Sequence, residues 1–228
     1  MPRTGAILNQ YFGLEGVIHP RCQKEKHPLA TVPEVQTLLT ETAAMHRHLC
    51  PRQVLGVRMG LYAGELLGME LPQRDKRLYT LVETDGCFVD GVTATTGCSV
   101  GHRTLRLMDY GKVAASFVDT KTGNAIRIWP NSQCRARAAD YAPAAPNRWR
   151  AQLEAYQVMP AADLLSACKI ELLIDLKALI ARPGVRVNCS ICREEILNER
   201  EVHRDGTVLC QACADGGYSR SLGDCAKG

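Results

Sequence analysis

The chain has 228 residues, 46% of them hydrophobic and 23% charged, which fits one ordinary globular domain plus a small additional module. Its formal net charge of +4 is too small to indicate a strongly anionic partner, so nucleic acid is not expected to bind. No apolar run of about eighteen residues occurs, and residues 1–20 lack an apolar signal-peptide core, so neither a membrane span nor export is predicted.

Cysteine is unusually frequent, with eleven in the chain. Without an export signal, paired Cys-x-x-Cys spacing indicates metal binding rather than disulfides. We therefore expect a reducing, cytoplasmic setting.

Two helices are predicted after an irregular N-terminal arm at residues 1–32. The first begins around Val32-Pro33-Glu34, where a proline and an early acid favour a helix start, and ends near His46. The second begins at Pro51. Gly56 and Gly60 lie four residues apart on one face of that helix, so they would allow another helix to pack closely.

Strands follow these helices in the predicted order. Leu78 to Glu83 is a strand candidate, and a short helix follows Asp85-Gly86. Residues 112–118 and 124–129 form a predicted hairpin, and 168–174 form a last strand. The order α-α-β-α-β-β-α places residues 33–182 in the α+β class.

The C-terminal region contains two Cys-x-x-Cys pairs, Cys189/Cys192 and Cys210/Cys213. Such pairs can place four thiolates tetrahedrally around zinc. A hairpin with Asp205-Gly206 at its turn is predicted between them, and the second pair should open a helix. Turn, hairpin and helix predict a treble-clef finger at residues 186–216 with structural zinc, followed by a tail at 217–228.

The predicted finger lacks the features of a nucleic-acid reader. Between residues 186 and 220 there are five arginines and no lysine against six acidic residues, so no basic patch is present. Four cysteine ligands would also leave no open coordination position for catalysis. Protein contact or dimer stapling is therefore the favoured role.

A second cluster, His46, His48 and Cys50, precedes the second helix. The backbone N–H groups and dipole at a helix N-terminus favour a thiolate at Cys50. The neighbouring Arg47 and Arg52 act in the same direction.

Cys87, Asp90 and Cys98 are candidates to complete this core site. Cys87 opens a predicted helix, Asp90 follows one turn later and could orient a histidine, and Cys98 lies in a glycine-rich loop. Each cysteine alone would more often be a buried structural residue. Together they predict either a soft metal site or a redox thiol pair, and the sequence leaves both open.

These motifs resemble the FmdE family, which takes its name from a component of formylmethanofuran dehydrogenase. The segment His46–Arg52 followed by Gly56 is similar to the family's His-Gly-His-x-Cys-Pro-Gly and a later glycine. The segment Cys87–Gly91 and then Thr96–Gly101 resembles Cys-x-x-Asp-Ala and Thr-Gly-Cys-x-x-Gly. Some members carry a similar C-terminal treble clef.

The resemblance implies helices packed on a mainly antiparallel sheet, a homodimer, and a cleft lined by the His/Cys motif. Arg47 and Arg52 stand where the family has glycine. The implied pocket is therefore narrower and more cationic, and these two arginines are candidate anion contacts.

Three functions compete at this point, and whether the chain is an enzyme stays open. The first is a metal-binding accessory protein with zinc in the finger and a possible second metal in the core, serving a molybdenum or tungsten enzyme of a methanogenesis-related family. The second is a thiol-dependent enzyme with Cys50 as nucleophile and His48 or His46 as base. The third is a scaffold or regulatory protein that contacts partners through the finger.

Overall fold

A computed structural model describes residues 32–46, 48–181 and 184–219, with the side chains of 34–44 in the first range. The predicted arm at 1–32 therefore lies almost wholly outside the described residues, as does the end of the predicted tail. The described residues form two compact units, a larger one that ends at Leu176 and a smaller one that begins at Lys177.

The larger unit contains a five-stranded sheet in the order β2-β1-β3-β4-β5. The strands are β1 Leu78–Val82, β2 Leu105–Leu107, β3 Ala115–Asp119, β4 Ala125–Pro130 and β5 Leu165–Ile170. Only the β1–β2 pair is parallel, and the other three pairs are antiparallel. The prediction of an α+β fold with a mainly antiparallel sheet is confirmed.

Six helices belong to this unit within the described residues. They are α1 Val32–His46, α2 Pro51–Leu67, α3 Cys87–Thr96, α4 Cys134–Tyr141, α5 Arg148–Val158 and α6 Ala161–Leu164. Local signals set several of their ends. Pro51 occupies the first turn of α2, and Gly68 ends it with a left-handed backbone at φ 62°. Asn147 caps α5 by accepting a hydrogen bond from the Arg150 N–H at 3.0 Å.

The crossing of α2 and α3 depends on two glycines. A Cβ atom added at Gly56 would lie 2.2 Å from the Phe88 carbonyl oxygen, and one added at Gly91 would lie 2.3 Å from the Gln53 carbonyl oxygen. Gly60 lies close to the Thr95 side chain farther along the crossing. The predicted close packing at Gly56 and Gly60 is confirmed, because the two helices touch where side chains would stand.

The core of the larger unit lies between these helices and the sheet. Its largest fully buried apolar side chains include Met59, Phe88, Phe117, Ile128 and Tyr156. Burial of this apolar surface is the main force that stabilises the unit.

Arg58 is a buried cation of α2 whose side chain donates hydrogen bonds to carbonyl groups at the C-terminal end of α5. It is 4% exposed, and its guanidinium donates to the carbonyl oxygens of Tyr156 at 2.8 Å and Met159 at 2.7 Å. A third hydrogen bond reaches the Gln157 carbonyl oxygen at 3.1 Å. The last carbonyls of a helix lack helical partners, so Arg58 satisfies groups that would otherwise be buried without a donor.

The last strand of the sheet differs from its prediction. β5 covers residues 165–170, whereas the sequence pattern predicts 168–174. The reason is its partner strand: β4 begins at Ala125, which pairs with Ile170, so later residues have no neighbouring strand to pair with.

The smaller unit contains two hairpins and two short helices. Its elements are α7 Leu176–Ile180, β6 Arg186–Asn188, β7 Glu195–Leu197, β8 Val202–Arg204, β9 Thr207–Leu209 and α8 Gln211–Asp215. Asp205 and Gly206 both have positive φ, 47° and 73°, which is the geometry of the predicted two-residue turn. Its apolar core is small, with Cys189, Ile196 and Leu209 as the buried members.

No helix in the described parts of the chain is both long and apolar enough to cross a lipid bilayer.

Candidate functional site

The four predicted finger cysteines converge in the smaller unit. Cys189 and Cys192 lie in the turn between β6 and β7, and Cys210 and Cys213 lie at the start of α8. Their sulfur atoms all lie within 4.8 Å of one another. Among the described residues, no other group of three or more His, Cys, Asp or Glu side chains has its ligand atoms this close together.

Backbone hydrogen bonds hold each pair in place. The Cys189 N–H donates to the Glu194 carbonyl oxygen at 2.9 Å, and the Arg193 N–H returns to the Cys189 carbonyl oxygen at 3.0 Å. At the other pair, the Cys213 N–H points to the Cys210 sulfur at 3.4 Å. Short turns therefore set the direction of all four sulfurs.

The acidities of these thiols diverge because the sulfurs are so close. Backbone hydrogen bonding, chiefly with Cys210, lowers the pKa of Cys189 to about 6. The neighbouring sulfurs, first that of Cys210, raise the pKa of Cys213 to about 12. Four thiolates cannot all form at this spacing without a cation, so the cluster has the chemistry of a metal site.

In the larger unit, the structure brings Cys50 and Cys87 together. Cys50 is the N-cap of α2 with an extended backbone, and Cys87 is the first residue of α3. Burial and then a hydrogen bond between the two thiols raise the pKa of Cys87. The charge of Asp90, one turn later in α3, acts in the same direction.

The close crossing of α2 and α3 at two glycines explains why two cysteines that are far apart in the sequence come together. Gly56 and Gly91 let the first turns of α2 and α3 touch, and each cysteine lies one to two turns before its glycine. Two helix N-termini therefore converge beside the thiol pair, and their partial positive charges favour an anion there.

Cys98 lies away from this pair, at the opposite end of α3. A ten-residue helix is about 15 Å long, so it separates the loop after Thr96 from Cys87. The Cys98 thiol is 1% exposed and donates to the Leu78 carbonyl oxygen at 3.4 Å. Burial raises its pKa, which gives Cys98 the surroundings of a structural core residue.

The structure describes the side chains of only some of the remaining predicted site residues. His48 and Arg52 have exposed side chains on either side of Cys50. The side chain of His46 and the whole of Arg47 lie outside the described residues. The described core side chains therefore assemble two thiols with a nearby carboxylate, and the roles of His46, His48, Arg47 and Arg52 stay predictions.

Sequence reasoning missed one residue of this region, Gln53. Its side-chain oxygen accepts a hydrogen bond from the Cys50 N–H at 2.7 Å, and its amide nitrogen is buried. The signal was available, because a glutamine three residues after an N-cap is a capping-box pattern.

Comparisons with known proteins agree with this architecture. The chain is 35% identical over 99 residues to a probable S-adenosyl-L-methionine-binding protein of Archaeoglobus fulgidus. That match covers 42% of this chain and 27% of the relative, so the chain spans about a quarter of the relative's length.

A solved structure shares the fold. The crystal structure of a tungsten formylmethanofuran dehydrogenase FmdE-like protein from Syntrophus aciditrophicus has a TM-score of 0.54 and 21% identity. The similarity covers 82% of this chain and 95% of that one. The family described as FmdE, Molybdenum formylmethanofuran dehydrogenase operon, matches residues 45–166, more than half of the sequence. The chain belongs to the FmdE family.

Proposed function

We propose that this chain is a metal-binding accessory protein with structural zinc in its C-terminal unit and a metal or oxyanion site at Cys50 and Cys87. The observation that carries the proposal is the spacing of the finger sulfurs. Cys192 and Cys210 have their sulfurs 3.9 Å apart. Tetrahedral zinc with bonds of about 2.3 Å needs sulfurs about 3.8 Å apart, so this pair of sulfurs has the spacing that zinc requires.

The order of elements around the cluster supports a treble-clef finger. A turn with the first cysteine pair is followed by the β8–β9 hairpin and then by α8 with the second pair. Four cysteines would close the coordination shell, so the zinc is structural in this proposal.

The core site has the donors that a soft metal or its oxyanion requires. Cys50 and Cys87 supply adjacent soft sulfurs. Asp90 lies one turn after Cys87, and the exposed His48 and Arg52 each lie two residues from Cys50 in the sequence. The family description refers to a molybdenum enzyme operon, and the structural relative is named for a tungsten enzyme. We therefore propose that the ligand serves a molybdenum or tungsten enzyme.

Metal analysis of the purified chain tests both sites. We expect at least one zinc per chain, lost in Cys192→Ser. A second metal or a bound molybdate should survive Cys192→Ser and disappear in Cys50→Ala. One zinc per chain, unchanged when Cys50 and His48 are both replaced by alanine, would exclude a second metal in the core.

A thiol-dependent enzyme is a second candidate, because two thiols that hydrogen-bond to each other, as Cys50 and Cys87 do, are close enough to act as a redox pair. In this role Cys50 is the nucleophile or redox thiol, with His48 or His46 as its base. Timed iodoacetamide labelling near pH 7 tests it. Labelling of Cys50 no faster than that of a free thiol would exclude an activated thiolate.

A scaffold role is supported by apolar side chains on the smaller unit. Ile191 is 64% exposed at the tip of the first cysteine turn, and Leu197 and Val185 are also exposed. In this role the finger contacts a partner enzyme or staples a homodimer. Deleting residues 186–228 should abolish partner capture and dimerisation, measured by pull-down and light scattering, and leave the larger unit folded.

The proposal also includes a cytoplasmic location. The nine described cysteines are all thiols rather than disulfides, which agrees with a reducing compartment.

A further inference from the structure

Gln53 has a side chain that does more than cap α2. The residue is fully buried, at 0% exposure, in the first turn of the helix. Its Oε1 accepts the Cys50 N–H at 2.7 Å. Because that backbone group is a donor, the amide oxygen must face it, and the amide nitrogen must point elsewhere.

The amide nitrogen of Gln53 has no acceptor among the described atoms. A buried donor without a partner destabilises the fold. The cap itself does not need this donor, since glutamate caps the same position through an oxygen and gains from the helix dipole. Capping therefore accounts for the amide oxygen of Gln53 and leaves its buried amide nitrogen without an assigned role.

The unpartnered nitrogen lies close to the backbone of Cys50. The Gln53 Nε2 is bonded to the same carbon as the Gln53 Oε1, which accepts the Cys50 N–H. The Nε2 therefore lies within about 5 Å of the Cys50 backbone nitrogen. Helix α3 passes close to the backbone of Gln53, since a Cβ at Gly91 would lie 2.3 Å from the Gln53 backbone carbonyl oxygen. Cys87, one turn before Gly91, contacts Cys50.

The backbone of α2 offers few donors of its own at this end. Pro51 has no N–H, and the N–H groups of Gln53 and Val54 both point to the Cys50 carbonyl oxygen, at 3.1 and 3.3 Å. A side-chain donor therefore adds to the few backbone N–H groups that this helix start can offer a ligand oxygen. The Gln53 amide is a donor that the fold leaves unused.

We propose that the Gln53 Nε2 donates a hydrogen bond to an oxygen of the ligand held beside Cys50 and Cys87, which makes the ligand an oxyanion rather than a bare metal cation. A bare cation has no oxygen to accept this bond and would be repelled by the two helix N-termini. A metal oxyanion offers acceptor oxygens both to the Gln53 amide and to the S–H groups of the two thiols. This inference rests on the core site of the proposed function.

Titration of molybdate into the zinc-loaded full-length chain, followed by calorimetry, tests the role of Gln53. Gln53→Glu keeps the capping oxygen and removes the donor, whereas Gln53→Met removes both without adding charge. We expect each variant to bind molybdate at least tenfold more weakly than wild type. Gln73→Glu is the matched control, because the Gln73 amide donates to the Glu70 carbonyl oxygen at an exposed site, and it should bind like wild type.

The variants separate the possible outcomes. Unchanged binding by Gln53→Met would overturn the inference, since any loss in Gln53→Glu would then come from charge repulsion. If wild type binds molybdate and Cys50→Ala loses it while both Gln53 variants keep it, the core site stands and only the role of Gln53 fails. If wild type binds no molybdate, the oxyanion site and this inference fail together. Equal melting temperatures of wild type and Gln53→Glu confirm that the fold is intact.

Discussion

The two units of this chain differ in how much apolar surface they bury, and therefore in what can stabilise each of them. The larger unit buries a broad apolar core between helices and a five-stranded sheet. The smaller unit has three buried core residues, and one of them, Cys189, belongs to the four-cysteine cluster. A segment of about forty residues cannot bury enough apolar surface to fold alone. We therefore expect the cysteines of the smaller unit to be needed for its folding, whereas only Cys50 and Cys87 of the larger unit are proposed to hold a ligand.

Removing the metal that we propose for the four C-terminal cysteines should have the largest effect. In zinc-finger peptides the metal contributes about 10–16 kcal/mol of apparent folding free energy, far more than three buried residues provide. A chelator or Cys192→Ser should expose residues 184–219 to proteolysis and leave the larger unit protected, as read by mass spectrometry of the fragments.

The matched control for the finger is Cys168→Ser, because Cys168 is a half-buried residue of β5 outside the cluster. It should leave the finger protected. Continued protection of residues 184–219 after chelation would show that the smaller unit folds without metal, and the contrast between the units would be wrong.

The larger unit should instead be sensitive to close packing. Gly56→Ala places a Cβ 2.2 Å from the Phe88 carbonyl oxygen, where backbone must move. We expect its free energy of unfolding to fall by about 3 kcal/mol, the upper part of the range for overpacking. Urea unfolding measures this loss.

Gly101→Ala is the control for this substitution, because nothing lies within 4 Å of a Cβ added there. Its stability should match that of wild type. An equally small effect of Gly56→Ala would mean that α2 and α3 are not in backbone contact, and the account of how Cys50 reaches Cys87 would fail.

Hydrogen bonding inside the larger unit can be broken at Arg58. Arg58→Met keeps the apolar part of the side chain but leaves the acceptors of three hydrogen bonds without a donor. The expected loss is about 2–3 kcal/mol in urea unfolding, since buried acceptors remain unsatisfied. Arg150→Met on the exposed face of α5 should change stability by less than about 0.5 kcal/mol.

The smallest expected effect is a pH dependence of the free energy of unfolding of the larger unit. Burial raises the pKa of Cys134, whose sulfur lies 3.8 Å from the Tyr156 hydroxyl. The folded state then holds a proton that the unfolded thiol releases near pH 9.0. The stabilisation is complete below that pH and is lost as the pH rises toward the raised folded value.

Cys134→Ala should therefore make the alkaline decrease in stability shallower, as measured by urea unfolding from about pH 7 to 10. An unchanged slope would show that Cys134 does not hold its proton in the folded state.

Much of the fold follows from local sequence signals. Pro51 at a helix start and Asp205-Gly206 at a turn each fix their backbone without distant contacts, and both predictions are confirmed. The limits of β5 could not be predicted, because they depend on where β4 begins. The role of Arg58 was also hidden, since its acceptors lie about a hundred positions later in the chain.

By itself, the sequence determined the four-cysteine cluster of the C-terminal unit and the family. Each Cys-x-x-Cys pair is set by one short turn, so its spacing alone predicts where the two sulfurs point. The core site was decided by tertiary structure. Contact between Cys50 and Cys87 requires two helices to cross at Gly56 and Gly91, and the rigid length of α3 then places Cys98 away from them. Local spacing carries no information about such a crossing, which is why the sequence proposed three core cysteines and the fold joined two.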